Sequence, residues 1–176
     1  MTAPDLTGKR VLILGAETEI GRAVTTAVAE AGASVAAVAA TTDADAAFAV
    51  QRLARRLSSP ERKIISLAID ATNEAAVRVM VRQVSKELSG LDAVVFAADL
   101  WTSTIPALHI AAEFGEKEIR RTGRGAFVTA LPVSTLGPAS ARDETDYGAL
   151  FNVPTKRRTL QQITDDVLHS LAEPID

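Results

Sequence analysis

The stretch Val11-Leu12-Ile13-Leu14-Gly15-Ala16-Glu17-Thr18-Glu19-Ile20-Gly21-Arg22 decides how this chain is to be read. Four apolar residues in an unbroken run are what a strand buried on both faces requires. Gly15 ends the run. Beyond it, Ile20, Val24, Ala27, Val28 and Ala31 are spaced i, i+4, i+7, i+8, i+11, which is one face of a helix with Gly32 as its C-cap. A glycine turn between strand and helix lets the backbone approach a pyrophosphate at the helix N-terminus, where N–H groups lack intrahelical acceptors.

The same alternation continues along the chain. Ser34 to Val38 reads as a second strand, Lys63 to Ile69 as a third ending at Asp70, Ala93 to Ala97 as a fourth and Ala126 to Leu131 as a fifth. Between them, Asp43 and Asp45 open a helix that buries Ala46, Val50, Leu53, Ala54 and Leu57, and Ser58-Ser59-Pro60 breaks it. Thr72 or Asn73 caps another helix, with Val77, Met80, Val81, Val84 and Leu88 on one face and Gly90 at its end. Pro106 to about Arg121 reads less cleanly as a helix, residues 132 to 146 as a loop, and Thr155 to Leu171 as a last helix. Such alternation means parallel strands with right-handed crossovers. The expected fold is α/β: one Rossmann-type domain over residues 1–176, a doubly wound parallel sheet of about five strands with helices on both faces. Ligands of such sheets bind just beyond the carboxyl ends of the strands.

Composition narrows the function classes. The 176 residues suit one domain. Aromatic residues make up only 4 %, so the core is expected to pack from small aliphatic side chains. A net charge of −3 lacks the basic face that nucleic acid or an anionic membrane requires. Without cysteine there is no disulfide and no thiol chemistry. His109 and His169 have no acidic partner at ligand spacing, so no metal site is expected. The N-terminus has neither the basic start nor the apolar stretch of a signal peptide, and no apolar run approaches the ~20 residues that cross a bilayer. The expectation is a cytoplasmic protein.

Gly8-Lys9-Arg10-Val11-Leu12-Ile13-Leu14-Gly15 followed by Ile20-Gly21 resembles the opening of the short-chain dehydrogenase/reductase family, written T-G-x-x-x-G-x-G. Asp70 stands where that family keeps an aspartate beside the adenine. Leu91-Asp92-Ala93-Val94-Val95 resembles the lead-in to its N-N-A-G motif, and Gly125-Ala126-Phe127-Val128-Thr129 its fifth strand. The resemblance covers residues 8 to about 170. It implies a bound NAD or NADP, with contacts at Gly15, Thr18, Ile20, Gly21, Thr41, Asp70 and Ala97. It also implies hydride transfer to or from a small carbonyl or alcohol, with Tyr147 as acid/base and Ser134, thirteen residues earlier, orienting the carbonyl.

Departures from the family pattern bear on each of these roles. The middle glycine is Glu19, whose side chain crowds the turn and opposes a phosphate. Glu17 adds a second negative charge to the same loop. The N-N-A-G positions read Phe96-Ala97-Ala98-Asp99, and the segment before strand five is shorter by about one helix, which removes the catalytic asparagine. Where an acid would bind the NAD ribose, or a base the NADP 2′-phosphate, stand Ala39 and Ala40, leaving the hydroxyls of Thr41 and Thr42 to accept either cofactor weakly. An ungapped alignment of strand five puts Pro132, not Ser134, at the serine position. Position 151, four beyond the tyrosine, is Phe instead of the lysine that lowers the tyrosine pKa. Lys156-Arg157-Arg158, beyond Pro154, reads as the solvated first turn of the last helix.

Three readings stand at this point: a weakened oxidoreductase, a non-catalytic subunit, scaffold or ligand sensor, and unrelated chemistry in the same cleft. The family's later strands and substrate lid are expected to be lacking. Strand five would then be a bare sheet edge and, like the stripe Leu160, Ile163, Val167 and Leu171, a homo-oligomer interface.

Overall fold

The structure, a computed structural model, describes residues 2–97, 117, 126–131, 143–145, 148–154 and 158–172. Strand β1 (Arg10–Leu14) is an interior strand of the sheet, with every residue of Val11–Leu14 fully shielded from solvent. Val11 and Ile13 point to one face of the sheet, among Val24, Val28, Ile163 and Val167. Leu12 and Leu14 point to the other, among Val77, Val81, Val84 and Phe96. The period-two alternation of a strand sends an unbroken apolar run to two separate cores. Each such side chain contributes about 2 kcal/mol by leaving water.

Strands β2 (Ser34–Ala39) and β4 (Ala93–Phe96) flank β1 in parallel, and β3 (Ile64–Ala68) extends the sheet beyond β2. Helices α1 (Glu19–Glu30), α2 (Ala44–Leu57) and α4 (Leu160–Ala172) contribute to the core on the Val11 face, and α3 (Glu74–Glu87) to the core on the Leu12 face. The second strand is made of Val35, Ala36, Ala37, Val38 and Ala39, all buried; the small side chains of Ala37 and Ala39 cluster with Val50 of α2.

The expected helix boundaries follow from caps that the structure makes explicit. Thr18, Asp43 and Asn73 each accept an N–H from the first turn of the helix they open. At the end of α1, Gly32 (φ +101°) donates to Ala29 O at 3.0 Å and Ala33 to Val28 O at 3.3 Å, a Schellman ending. At the end of α3 the same two bonds run from Ser89 to Lys86 O and from Gly90 to Ser85 O, but a serine occupies the left-handed position at φ +61°. Arg10 locks this corner: its Nε and Nη2 donate to Asp92 at 2.8 and 2.9 Å, and Nη1 donates to Ser89 O. The hydrogen bonds it donates to the Asp92 carboxylate raise the Arg10 pKa above its ordinary value. Glycine is favoured at position 90 by its φ of +126°, and an added Cβ would also displace the Arg10 guanidinium, 2.2 Å away.

Beyond β4 the structure departs from the expected five strands. β5 (Ala126–Leu131) pairs in parallel with β4, as expected, but it is not an edge. Its other side pairs in parallel with β7 (Gly148–Pro154), which in turn pairs antiparallel with β6 (Asp143–Thr145). The sheet order is β3-β2-β1-β4-β5-β7-β6. The run Ala149-Leu150-Phe151-Asn152-Val153, bounded by Gly148 and Pro154, carried the strand signal. The oligomer interface expected at β5 therefore loses its premise, because those backbone groups are paired. The stripe on α4 is likewise accounted for within the chain: Ile163, Val167 and Leu171 are buried in the core against α1, and Leu160 alone is exposed.

The last helix also starts at Leu160 rather than Thr155. Thr159 accepts from Gln162 N at 3.2 Å while Gln162 accepts from Thr159 N at 3.0 Å, a reciprocal capping box that fixes the start. Arg158 precedes the helix and pairs with Asp166, whereas Lys156 and Arg157 lie outside the described residues. The helix expected over 106–121 also lies outside them, except for helical Lys117.

Two substitutions test this account of the backbone by urea unfolding. Ser89→Gly relieves the left-handed strain and is expected to raise stability by about 0.5–1 kcal/mol. Gly21→Ala places a methyl against the backbone of Gly15 and is expected to lower it by about 2–3 kcal/mol or to prevent folding.

Candidate functional site

The strand order puts the switch point between β1 and β4, where the connections leave in opposite directions across the sheet. The segments that follow the carboxyl ends of the parallel strands line up along this edge. Asp70 follows β3, Thr41 follows β2, the Gly15–Gly21 turn follows β1, and Ala97 follows β4. The sequence reading therefore placed its cofactor residues on one side of one sheet, although they span more than eighty positions of chain.

The turn after β1 is tied down at both ends. Gly15 and Ala16 both donate to Val38 O, at 2.9 and 3.0 Å, which pins the turn to β2. Gly15 adopts φ +97°, a conformation that favours glycine. Gly21, in the first turn of α1, comes so close that an added Cβ would stand 1.9 Å from Gly15 O. The helix thus begins almost in contact with the strand end, and the N–H groups of Glu19 and Ile20 open the helix without intrahelical acceptors. Such a pair of donors with the helix dipole behind it is the usual cradle for a pyrophosphate.

Thr18 joins the turn to the far side of the switch point. Its Oγ1 accepts from Gly21 N at 2.9 Å and lies within donating distance of two carbonyls, Gly15 O at 2.9 Å and Ala97 O at 2.8 Å. A hydroxyl has one proton to give, so these two oxygens share it. Thr18 is therefore both the N-cap of α1 and the link from the β1 turn to the residue after β4, a structural role beside the cofactor contact expected of it.

The two acids of the turn behave differently. Glu19 is the first residue of α1 and is exposed, where a negative charge favours the helix but opposes a bound phosphate. Glu17 is half-buried and turns toward β2, accepting Ala40 N–H on Oε2 at 3.0 Å. The sequence reading took Glu17 as a second negative charge in a loop where family members that prefer NADP tend to carry a basic residue; nothing in the local pattern signals a contact twenty-three residues away.

Asp70 is exposed, and its Oδ1 accepts both the amide and the hydroxyl of Thr72, at 2.9 and 2.6 Å. The hydroxyl bond, then the amide bond, hold its carboxyl below the usual carboxylate range. Thr41 accepts from Asp43 N at 3.2 Å, which leaves its hydroxyl proton as a donor.

Ser134 and Tyr147 lie outside the described residues, as does Trp101. Their flanks are informative for Tyr147. Thr145 of β6 pairs with Gly148 of β7, so two antiparallel strands bracket the tyrosine in sequence. Phe151, at the position of the family's lysine, is in β7 and pairs with Val128. A tyrosine and a lysine four residues apart face the same way and lie about 6 Å apart on a helix, whereas the same spacing in a strand spans about 13 Å. Among the described residues no cluster of histidine or acidic groups is placed to hold a metal ion, and no helix is long and apolar enough to cross a membrane.

Similarity to known proteins agrees with this geometry. A family model described as short chain dehydrogenase matches residues 9–135. A short chain dehydrogenase from Pseudocercospora fijiensis is 35 % identical over 95 residues, 54 % of this chain and 29 % of its own length. The glycine betaine reductase ATRR from Emericella nidulans is 33 % identical over 102 residues, which are 58 % of this chain and 8 % of that protein. Among solved structures, a short-chain type dehydrogenase/reductase from Mycobacterium marinum superposes with a TM-score of 0.64 at 30 % identity, over 74 % of this chain and 58 % of that one. The chain thus spans less than a third of the curated relatives and under two thirds of the solved one. With a Rossmann-type sheet, a glycine turn between β1 and α1 and a match over residues 9–135, the chain belongs to the short-chain dehydrogenase/reductase family, whose members typically bind NAD or NADP.

Proposed function

We propose that this chain binds a nicotinamide dinucleotide over the β1–α1 turn and that hydride transfer through the family's tyrosine is weak or lost. The observation that carries the first half is the contact of Gly21 with Gly15: with no Cβ to hold them apart, the start of α1 comes up to the end of β1 and brings the Glu19 and Ile20 amides there. Gly15, Thr18, Ile20 and Gly21 would hold the pyrophosphate, Thr41 and Asp70 the adenosine half, and Ala97 the approach to the nicotinamide. The bound cofactor would supply or accept the hydride; the chain would supply position and charge.

The second half rests on position 151. A tyrosine with pKa near 10 exchanges protons poorly at neutral pH unless a cation lowers that value. Here the partner position is a phenylalanine in a strand, and Arg158, the next described cation along the chain, is engaged by Asp166. Ser134 and Tyr147 remain the residues through which any residual carbonyl chemistry would run. The other reading, a non-catalytic subunit, scaffold or ligand sensor, is favoured by the two acids, Glu17 and Glu19, that stand in the phosphate turn.

Calorimetric titration separates the two. Saturable binding of NAD(H) or NADP(H) with a dissociation constant at or below ~100 μM supports the dinucleotide reading; no heat at millimolar concentration leaves the scaffold. Removing the charge and bulk at the helix start, Glu19→Gly, is expected to tighten binding by about three- to tenfold. In a spectrophotometric assay with small aldehydes and ketones, cofactor oxidation is expected to stay at the uncatalysed rate. Turnover that disappears in Tyr147→Phe would instead restore the tyrosine to its family role.

A further inference from the structure

The sheet ends at β3. Among the described residues no strand lies beyond it, and Ile64–Ala68 are half-buried where Val35–Ala39 of β2 are fully shielded. In the ladder with β2, Lys63 O accepts Val35 N–H at 2.9 Å and Ile69 N–H donates to Ala39 O at 3.1 Å. Odd-numbered residues therefore turn their backbone groups inward, and the amides and carbonyls of Ile64, Ser66 and Ala68 face out from the edge. Ile65, Leu67 and Ile69 are covered only in part by the core on the Leu12 face, and Ile64 only in part by the core on the Val11 face. A lysine on an edge strand usually blocks pairing, but Lys63 is drawn aside, its Nζ donating to Glu87 O at 2.8 Å.

We propose that β3 pairs antiparallel with β3 of a second copy, about a two-fold axis at Ser66, so that one sheet runs through two chains. This register sets Ile64 opposite the partner's Ala68 and Ser66 opposite the partner's Ser66, which brings all the outward-facing backbone groups of the strand together. On the other face Ile65 meets the partner's Leu67, so side chains half-exposed in one chain cover each other. At both ends of the strand the same register sets Arg62 opposite the partner's Asp70, a pair of opposite charge. Arg62 spends its Nε on Leu57 O at 3.0 Å, and a guanidinium has further N–H donors; Thr72 bonds to Asp70 through Oδ1 alone. A slip of two residues either way sets Asp70 opposite Ile64 or Pro60 and leaves the charges unmatched.

Sedimentation of the full chain from about 1 to about 500 μM is expected to show a monomer–dimer equilibrium with a dissociation constant on the order of 10–100 μM, as suits a small interface. Ser66→Pro removes an amide that β2 does not use, and proline is tolerated on an edge strand with its nitrogen facing solvent; the dimer is expected to weaken at least tenfold. Arg62→Asp and Asp70→Arg are each expected to weaken it by a similar factor, and the two together to restore it, which damage to the fold would not do. The chain has no cysteine, so Ser66→Cys carries a single thiol, placed on the two-fold axis. A hydrogen-bonded antiparallel pair stands about 5.5 Å apart at Cα, within the roughly 4.4–6.8 Å that a disulfide spans. Mild oxidation is expected to link Ser66→Cys into dimers and to leave Thr26→Cys, on α1, unlinked. Monomer at every concentration overturns the proposal. So does a dimer that survives Ser66→Pro, fails to link through Ser66→Cys, or is not restored when the two charges are exchanged.

Discussion

The structure turns on the approach of Gly21 to Gly15. The chain must leave a central strand that is buried on both faces and enter a helix that packs back onto one of those faces, and it does so within a few residues. Only a residue without a Cβ can stand at position 21, because a side chain there would overlap the Gly15 carbonyl. Gly15 in turn adopts a positive φ while its amide and that of Ala16 are both taken by Val38 O. This contact fixes where α1 begins, and the position of α1 fixes what its inner face meets. Val24 and Val28 are thereby set against β1, and Ile163 and Val167 of α4 join the same core.

The constraint that builds the fold also builds the site. A helix whose first turn is brought up against a strand end presents unpaired amides at the edge where the sheet reverses direction. Thr18 reinforces the arrangement by bonding across the switch point to Ala97. The electrostatics of the turn then divide between two acids with opposite consequences. Glu19 projects at the helix start and favours the helix dipole at the expense of a phosphate. Glu17 is drawn aside by the Ala40 amide, which takes its charge from the pyrophosphate cradle to the end of β2. Two carboxylates two residues apart therefore face different surroundings, one at the helix start and one at the end of β2.

The second half of the sheet follows a different logic from the first. β1 to β4 alternate with helices in the usual parallel crossover pattern. β7 instead lies directly beside β5 and is reached through the short antiparallel strand β6. The residues Asp143–Thr145 and Gly148–Pro154 are extended, and Phe151, at the position of the family's lysine, is paired with Val128 of β5.

The sequence by itself determined the first half of the molecule. An apolar run, a glycine turn and a 3.6-residue period leave little freedom, and Thr18, Asp43 and Asn73 announce the helix starts because their short polar side chains satisfy first-turn amides. Gly15, Gly21, Thr41, Asp70 and Ala97 could be placed at one edge because parallel strands all end there. The later boundaries were less legible. The strand Gly148–Pro154 follows a loop-like stretch and lacks a strong period, and the start of α4 depends on a reciprocal bond between Thr159 and Gln162. Only the tertiary structure decided that β5 has a neighbour, that the α4 stripe is spent on the chain's own core, and that Glu17 belongs to the end of β2. Each of these is a contact between residues far apart in the chain, and local pattern fixes what a segment becomes without fixing which other segment it meets.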